Sequence, residues 1–600
     1  MRTWRNVLRL LPFVILIGVA LCFQAWAASK WRYNFGADDA LLALMAKHIA
    51  EGKEFPIYTY GIRYGGPLLQ YLSAPLFWLF EPTVPTARIA PIASFGFFLG
   101  LHSYFVNRTW GRSIALRSLL FLIVPATYFF EWTFKGSVGL WLSLCTFGCL
   151  LGFGIIGARR RTISLGLAGL CFGVAAWILP TSLIYLAAWL LASVLTSEEV
   201  KRCLKAAHTS VGRPASILGL AFLAPLTWGG CYAFYTGQLS VIATGVCAVL
   251  LLLWISSIRK QHLFINGICL VTGLLIGNAP QWMPWMFSEV TPSAGFTASF
   301  PSLQNARIFF LEILPSLFGS STIQSIRNLK WEPVFSFPLV FVALALYLIA
   351  LWLWTQRRML VKTVTLQPLD KQNQLPLFVL FLFLLPILAL SGLPGLNETL
   401  TRYLFPTWHA SSVILAIAWL KVENKSQFAS YLILGIIVIQ GALNFESLRI
   451  RWTNEFFPAA TVAGIEHYLE EHDIDRAFAD YWLSYPLSYL FEEKIIVATY
   501  RDVDRYAPHR ALVDQADRVA YIFHPWLLGD LSLETDSSAK LADHLQRKGL
   551  IFKELAERLN KARLIDRTTI GGWQVWIVEQ SPQDSSTAKP NPVHPYPLAQ

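Results

Sequence analysis

The sequence predicts a polytopic α-helical membrane protein of about 13 transmembrane helices, followed by a small C-terminal α/β extracytoplasmic domain. Two observations predict the membrane part. Of the 600 residues, 55% are hydrophobic and only 14% are charged, where a soluble domain carries about 25% charged residues. Apolar runs long enough to cross a bilayer also recur along the chain. A third observation predicts the small domain: from residue 447 the charge density rises and the apolar runs shorten.

The elements follow in order. Arg2, Arg5 and Arg9 precede an apolar run at 7–28, which ends in Ala25-Trp26-Ala27-Ala28. That run is longer than a signal-peptide core and is expected to stay as the first span. Further spans are expected at 84–106, 114–131, 136–157, 163–178, 180–196, 215–235, 239–257, 263–281, 334–356, 375–391, 403–420 and 427–446. Pro180 marks a turn or a kink between two of them. Each span must satisfy its own backbone in lipid, so each is expected to be helical.

Charge sets the expected topology. With a cytoplasmic N-terminus, the inside segments are 1–10, 107–117, 158–162, 197–214, 258–262, 356–374 and 421–425. They hold 21 Lys and Arg against Glu198, Glu199, Asp370 and Glu423, the asymmetry of the positive-inside rule. An odd number of spans then places 29–83, 282–333, 392–402 and the C-terminal domain outside, as in a bacterial plasma membrane. The net charge of +12 is accounted for by topology, and no nucleic-acid partner is expected. All eight cysteines precede residue 270; seven lie in apolar segments and Cys203 in a basic loop. No structural disulfide is expected in the outside regions.

In the C-terminal part, 465–471 reads as an amphipathic helix. Residues 477–479, 495–498, 519–523 and 574–578 read as short buried strands. Asp480 is placed to cap the helix after its strand, and Asp504-Arg505-Tyr506 stands out as a second polar group. The domain is taken as 447–580. Residues 581–600 are rich in Pro, Ser and Gln and are expected to be disordered. No internal repeat is evident.

The chemistry concentrates between residues 33 and 67. Gly36-Ala37-Asp38-Asp39 opens a helical pattern carried by Leu41, Leu42, Met45 and Ile49, with Gly52 placed to close it. A loop follows, Tyr58-Thr59-Tyr60-Gly61-Ile62-Arg63-Tyr64-Gly65-Gly66-Pro67. The plain reading makes Asp38 the helix N-cap, with Asp39 in the first turn, favoured by the helix dipole. The chemical reading makes a carboxylate here a general base that removes a proton from an acceptor hydroxyl or amine. The two readings are compatible, because a cap fixes a carboxylate in place. A departing phosphate would need an Arg or Lys. Lys135, across a short turn from Glu131, is one candidate; solvated loop charge is its plain reading. No spacing sets another His or Cys beside His48, so no metal is expected among the histidines. A divalent metal on Asp38 and Asp39 stays open, and no cofactor is required. Trp282 and Trp285 are expected in an interfacial aromatic belt.

These features together resemble the GT-C superfamily of membrane glycosyltransferases, and within it glycosyltransferase family 39, which includes the protein mannosyltransferases and the bacterial aminoarabinose transferases. The residues that carry the resemblance are Asp38-Asp39, Ala43, Ala46, Ile49, Gly52, Phe55, Tyr60-Gly61, Tyr64-Gly65-Gly66-Pro67 and Ala74-Pro75. Later matches are Gly277-Asn278-Ala279-Pro280 and Arg402-Tyr403-Leu404-Phe405-Pro406. The resemblance implies a sugar donor linked to polyprenyl phosphate, a lipid, glycan or protein acceptor, and an active site on the outer face. It implies Asp38 as catalytic base, with Asp39 beside it. It also implies Arg402 and Lys135 as donor-phosphate ligands, and Tyr60, Arg63, Tyr64 and Tyr403 as acceptor- or substrate-binding residues. This chain departs from some members in lacking an acidic residue near Gly65, and has Gln70 near a position where relatives often carry Glu. The competing class is a transporter or flippase of lipid-linked sugars. That class calls for ionisable residues in mid-membrane or for repeated halves; the acidic pair at a predicted surface favours the enzyme.

Overall fold

A computed structural model describes residues 2–62, 65–123, 127–157, 160–198, 261–287, 337–365, 367–391, 403–452, 454–500, 504–525 and 553–580, with isolated positions at 307–308, 313, 317–318, 543 and 546. The chain divides into two compact units. One comprises Met1–Ala27, Arg63–Leu69 and Arg88–Arg451; the other comprises Ala28–Ile62, Gln70–Ala87 and Trp452–Gln600.

The first unit is helical. Its chain carries α1 (Arg2–Ser29), then, after α2 (Ala37–Ala50), α3 (Leu68–Leu79) and α4 (Val84–Ala87), the series α5 (Ile89–Trp110), α6 (Arg112–Ile123), α7 (Thr127–Lys135), α8 (Val138–Gly152), α9 (Arg161–Ile178) and α10 (Leu183–Leu195). It continues with α11 (Gln261–Gly277), α12 (Ala279–Phe287), α13 (Phe337–Thr355), α14 (Arg357–Val364), α15 (Gln374–Ser391), α16 (Phe405–Glu423) and α17 (Gln427–Arg451). Among the described residues, six helical stretches are long and apolar enough to cross a membrane: Leu8–Ser29, Val84–Trp110, Arg161–Ile178, Pro338–Thr355, Lys371–Ala389 and Gln427–Ile450. A seventh counts if Phe129–Lys135 and Val138–Gly152, bent by 91°, form one broken span. The expected spans at 215–235 and 239–257 lie outside the described residues. Those at 180–196 and 263–281 are present as shorter apolar helices.

The expected span at 403–420 is a helix, α16, but not one of those six. It carries Thr407, His409, Ser411 and Ser412, all buried. The bundle satisfies them internally, as lipid requires. His409 Nε2 meets His102 Nδ1 at 2.8 Å, His409 Nδ1 meets the Tyr185 hydroxyl at 2.6 Å, and Thr407 donates to the Phe383 carbonyl at 3.1 Å. His409 and Thr407 thus join neighbouring helices, while Ser411 and Ser412 donate to the Thr407 and His409 carbonyls of α16 itself.

Small residues set the closest helix pair. Gly169 and Gly173 on α9 face Gly273 and Gly277 on α11, and a Cβ at any of the four would strike a backbone carbonyl of the other helix. This is the small-xxx-small packing that replaces the hydrophobic effect inside a bilayer. Overpacking usually costs about 1–3 kcal/mol, and here the obstacle is backbone, which cannot rotate away. Gly173→Leu is therefore expected to lower the thermal midpoint and the yield of folded protein. Gly100→Ala on α5, where nothing lies within 4 Å, should leave both unchanged; equal behaviour of the two variants would refute the packing argument.

The second unit contains α2 and a sheet. In order its C-terminal elements are α18 (Ala459–Glu471), β1 (Arg476–Ala479), α19 (Tyr481–Leu490), β2 (Ile496–Thr499), α20 (Ala507–Asp514), β3 (Arg518–Phe523), α21 (Lys553–Lys561), β4 (Arg563–Ile570) and β5 (Trp573–Glu579). The strand order is β2-β1-β3-β5-β4. β1 pairs in parallel with β2 and β3, while β5 runs antiparallel to both β3 and β4. Helices α19 and α20 serve as the crossovers that parallel neighbours need. Alternation places Ala477, Val497, Ile522 and Ile577 on one face against Ile465, Leu469, Leu483 and Leu487. Phe478, Tyr521, Phe523 and Trp576 lie on the other, against Val513 and Leu559. The four expected strands are present to within a residue at each end, and the helix expected at 465–471 begins earlier, at Ala459. β4 was not expected. It is an edge strand whose residues alternate between exposed and half-buried, so its sequence reads as polar rather than as core.

His524, just after β3, stacks on Phe456 with centroids 4.8 Å apart and meets Trp573 edge-on. Burial lowers its pKa to about 4, below the value of about 6.5 in an unfolded chain. The folded state thus resists the protonation that the unfolded state accepts, and stability should fall as pH drops from about 6.5 towards 4. His524→Phe is expected to flatten that part of the stability profile. Parallel profiles for the two proteins, from thermal melts across the window, would count against it.

Candidate active site

The site is built on the first turn of α2. Asp38 is not the N-cap, contrary to the plain reading of the sequence. Gly36 holds that position with extended backbone, φ −92° and ψ 175°, and glycine is an acceptable cap residue. The Asp39 carboxylate accepts the Gly36 N–H at 3.2 Å, the one half of a capping box that a glycine cap allows. Helix formation therefore occupies Asp39, in the first turn, and leaves the Asp38 side chain for other partners. At the far end Gly52, φ +69°, terminates the helix as expected. The apolar face of α2, with Ala37, Leu41, Leu44 and Met45, packs in one cluster with Tyr481, Tyr485 and Tyr489 of α19.

Asp38 is met by groups from the C-terminal part of the chain. Arg505 Nη1 lies 2.8 Å from Asp38 Oδ1, and the Tyr481 hydroxyl donates to the same oxygen at 3.2 Å. The Arg505 side chain is 19% exposed and that of Asp38 37%, so the pair is reachable from solvent. Arg505 is fixed from behind. Its backbone N–H donates to the Tyr485 hydroxyl at 2.7 Å, that hydroxyl donates to Asp504 at 3.0 Å, and Asp504 accepts the Tyr506 N–H at 3.0 Å. Its guanidinium also lies over the Tyr481 ring, 5.8 Å from the centroid. Asp480 caps α19 as expected, accepting the Trp482 N–H at 3.0 Å.

Tyr60 lies beside this arrangement, buried among α2 and the Tyr506 region. Its hydroxyl donates to Glu54 at 2.7 Å and stands 2.9 Å from His48 Nδ1. Tyr506 donates to the other Glu54 oxygen at 2.6 Å. Burial and then Glu54 push the Tyr60 hydroxyl far above its ordinary range, so it keeps its proton. His48 Nε2 and His509 Nε2 both reach Glu493 Oε1, at 2.8 and 3.0 Å, and Lys47 Nζ reaches Glu493 Oε2 at 2.7 Å. The fold thus sets His509 beside His48, which the sequence spacing did not suggest.

The remaining expected residues fall elsewhere. Arg63, Tyr64 and Arg402 lie outside the described residues. Tyr403 is half-buried in the turn that leads into α16, in the first unit. Lys135 ends α7 and pairs with Glu131 at 3.5 Å, with side chains only 16% and 13% exposed. These two are a helical pair one turn apart and not the solvated loop charges of their plain reading. The Trp282 indole donates to the Leu275 carbonyl at 2.8 Å. Arg505, Glu493 and His509 were not picked out from the sequence as site residues. The one available signal was the Asp504-Arg505-Tyr506 group.

No protein-family model matches the chain, and no curated protein matches it. Among solved structures it is similar to the oligosaccharyltransferase of Archaeoglobus fulgidus in the apo form, at 12% identity over 91% of this chain and 73% of that one, with a TM-score of 0.44. The same enzyme in complex with Zn and sulfate gives 11% identity over 92% and 72%, with a TM-score of 0.43. ArnT from Cupriavidus metallidurans bound to undecaprenyl phosphate gives 12% identity over 94% and 97%, with a TM-score of 0.36. Likenesses this distant carry no argument about chemistry, which has to come from the residues of this chain.

Gly61 bounds the site. It has φ +68°, and an added Cβ would stand 2.6 Å from the Arg505 backbone and side chain. Gly52 has the same φ, with nothing within 4 Å. Alanine at either position should pay the left-handed penalty of about 1 kcal/mol, and Gly61→Ala should cost more because it also displaces Arg505. Equal losses of stability in denaturant titrations would show that Arg505 does not press on this turn.

Proposed function

We propose that the chain is a GT-C-type membrane glycosyltransferase. It moves a sugar from a polyprenyl-phosphate donor to a lipid, glycan or protein acceptor, with Asp38 as general base. One observation carries the reading: the capping duty falls to Asp39, and Asp38 is presented beside a cation and a phenol at an accessible turn. In the reaction an acceptor oxygen or nitrogen attacks the anomeric carbon, the bond from that carbon to the phosphate oxygen breaks, and its electron pair leaves with the phosphate. Asp38 takes the acceptor proton. Arg505 holds Asp38 in the absence of substrate, and its planar fork also matches a phosphate. Arg402 and Lys135 remain donor-phosphate ligands in this reading, and Tyr60, Arg63, Tyr64 and Tyr403 acceptor or substrate contacts. The proposed setting is a bacterial inner membrane crossed by about 13 helices, N-terminus cytoplasmic, with the second unit outside. Charge asymmetry supports that orientation. The joining of residues 28–62 and 452–600 in one compact unit supports their lying on one side.

The transporter reading has one observation in its favour, the polar chain Tyr185–His409–His102 between helices, since intramembrane ionisable groups often mark transport paths. Asp38 decides between the two. Asp38→Asn should lower turnover by about 100- to 10,000-fold while leaving the thermal midpoint near wild type, because Asp38 caps nothing. Asp39→Asn should mainly touch stability, by about 1 kcal/mol or less. Transfer from polyprenyl-phosphate sugars by purified protein, measured beside melts, provides the test. Wild-type turnover in a folded Asp38→Asn protein removes the base assignment, and translocation without transfer selects the transporter.

A further inference from the structure

We propose that His48, Glu493 and His509 form a binding site for a divalent metal ion of the zinc type, which clamps α2 to the C-terminal part of its unit. The three come from α2, from the turn after α19 and from α20, and their ligand atoms all lie within 4.8 Å of one another. Two imidazole nitrogens and one carboxylate oxygen are a donor set that zinc accepts, with a fourth position left for water. Tetrahedral bonds of about 2.0–2.1 Å separate ligand atoms by roughly 3.3 Å. His48 Nε2 and His509 Nε2, now 2.8 and 3.0 Å from Glu493 Oε1, need draw back from that oxygen by only about half an ångström or less.

Proton accounting asks for a positive centre at this point. The Tyr60 hydroxyl has one hydrogen and spends it on Glu54, 2.7 Å away, because a carboxylate can only accept. Tyr60 oxygen therefore accepts from His48 Nδ1 at 2.9 Å, which fixes the proton on Nδ1. His48 Nε2 faces Glu493 Oε1 at 2.8 Å, a contact that calls for positive charge between nitrogen and carboxylate, from a proton or from a metal ion. The Glu54–Tyr60–His48 relay is the kind of outer support that orients metal-binding histidines. Lys47 holds the other Glu493 oxygen at 2.7 Å, leaving Oε1 to the ion.

A second observation concerns His509. It is 3% exposed, and among the described residues its Nδ1 has no hydrogen-bond partner. Here only Nε2, the nitrogen facing Glu493, is served. The backbone agrees. Glu492 and Glu493 are both left-handed, φ 56° and 63°, a conformation that costs non-glycine residues of order 1 kcal/mol each. The turn places the Glu493 carboxylate between the two histidines and the Glu492 carbonyl on Lys47, 2.9 Å away.

Zinc binding to the purified full chain in detergent, stripped with chelator and then dialysed against Zn²⁺ alone, tests the assignment. One zinc per chain is expected by elemental analysis, and Co²⁺ in its place should show the visible bands of a four-coordinate site. His509→Gln and Glu493→Gln should raise the zinc Kd by more than tenfold. Tyr60→Phe, which removes only the outer relay, should keep the stoichiometry and weaken binding by about 10- to 100-fold. Asp38→Asn should retain zinc, which separates this site from one on the acidic pair. A wild-type chain that takes up no zinc overturns the proposal whatever the variants do. So does full zinc binding by folded His509→Gln and Glu493→Gln, or loss of zinc in Asp38→Asn.

Discussion

The candidate site depends on which of two adjacent carboxylates satisfies the start of α2. A helix leaves its first N–H groups unpaired, and one acidic side chain in the first turn is enough to answer the exposed Gly36 amide. Asp39 does so. Had Asp38 been drawn back to that amide, its oxygens would point along the helix end and away from Arg505 and Tyr481. A local backbone requirement thus decides which of two chemically identical groups is offered to the surroundings.

The ion pair between Asp38 and Arg505 is better understood as positioning than as stabilisation. Pairs this exposed are worth about 0–1 kcal/mol, too little to hold a unit together. The holding is done by the apolar contact of α2 with the tyrosines of α19 and by the buried Glu493 cluster. Burial works against a charged Glu493, but hydrogen bonds from His48, His509 and Lys47 outweigh it and keep the carboxyl well below the ordinary range. Glu493 is buried with its oxygens bonded, whereas Asp38 is exposed enough to change partners.

The sequence made visible whatever local pattern controls. Hydropathy announced the long apolar helices, short continuous apolar runs the buried strands, and Gly52 the end of α2. It failed where a remote partner decides. Strand β4 is legible only once β5 lies beside it, because its residues are polar by edge-strand necessity. Helix α16 reads as a span, yet its histidine and Thr407 are answered by α5, α10 and α15. His48, Glu493 and His509 have no recognisable spacing, since three separate elements deliver them. Arg505 was noticed only as part of a polar triplet, and nothing nearby in the sequence points to Asp38.

The second unit is made of separated stretches, Ala28–Ile62, Gln70–Ala87 and the residues from Trp452 onward. Its assembly is therefore tied to the order of synthesis. At about 5–20 residues per second, on the order of tens of seconds pass between the emergence of α2 and that of α19 and Arg505. During that interval the acidic pair is already made, but its tyrosine packing and its arginine are not. The unit closes only after the membrane helices between have been threaded, so a chain that stops short carries the carboxylates without their setting. The fold of the second unit is thus completed only once its last strands have been made.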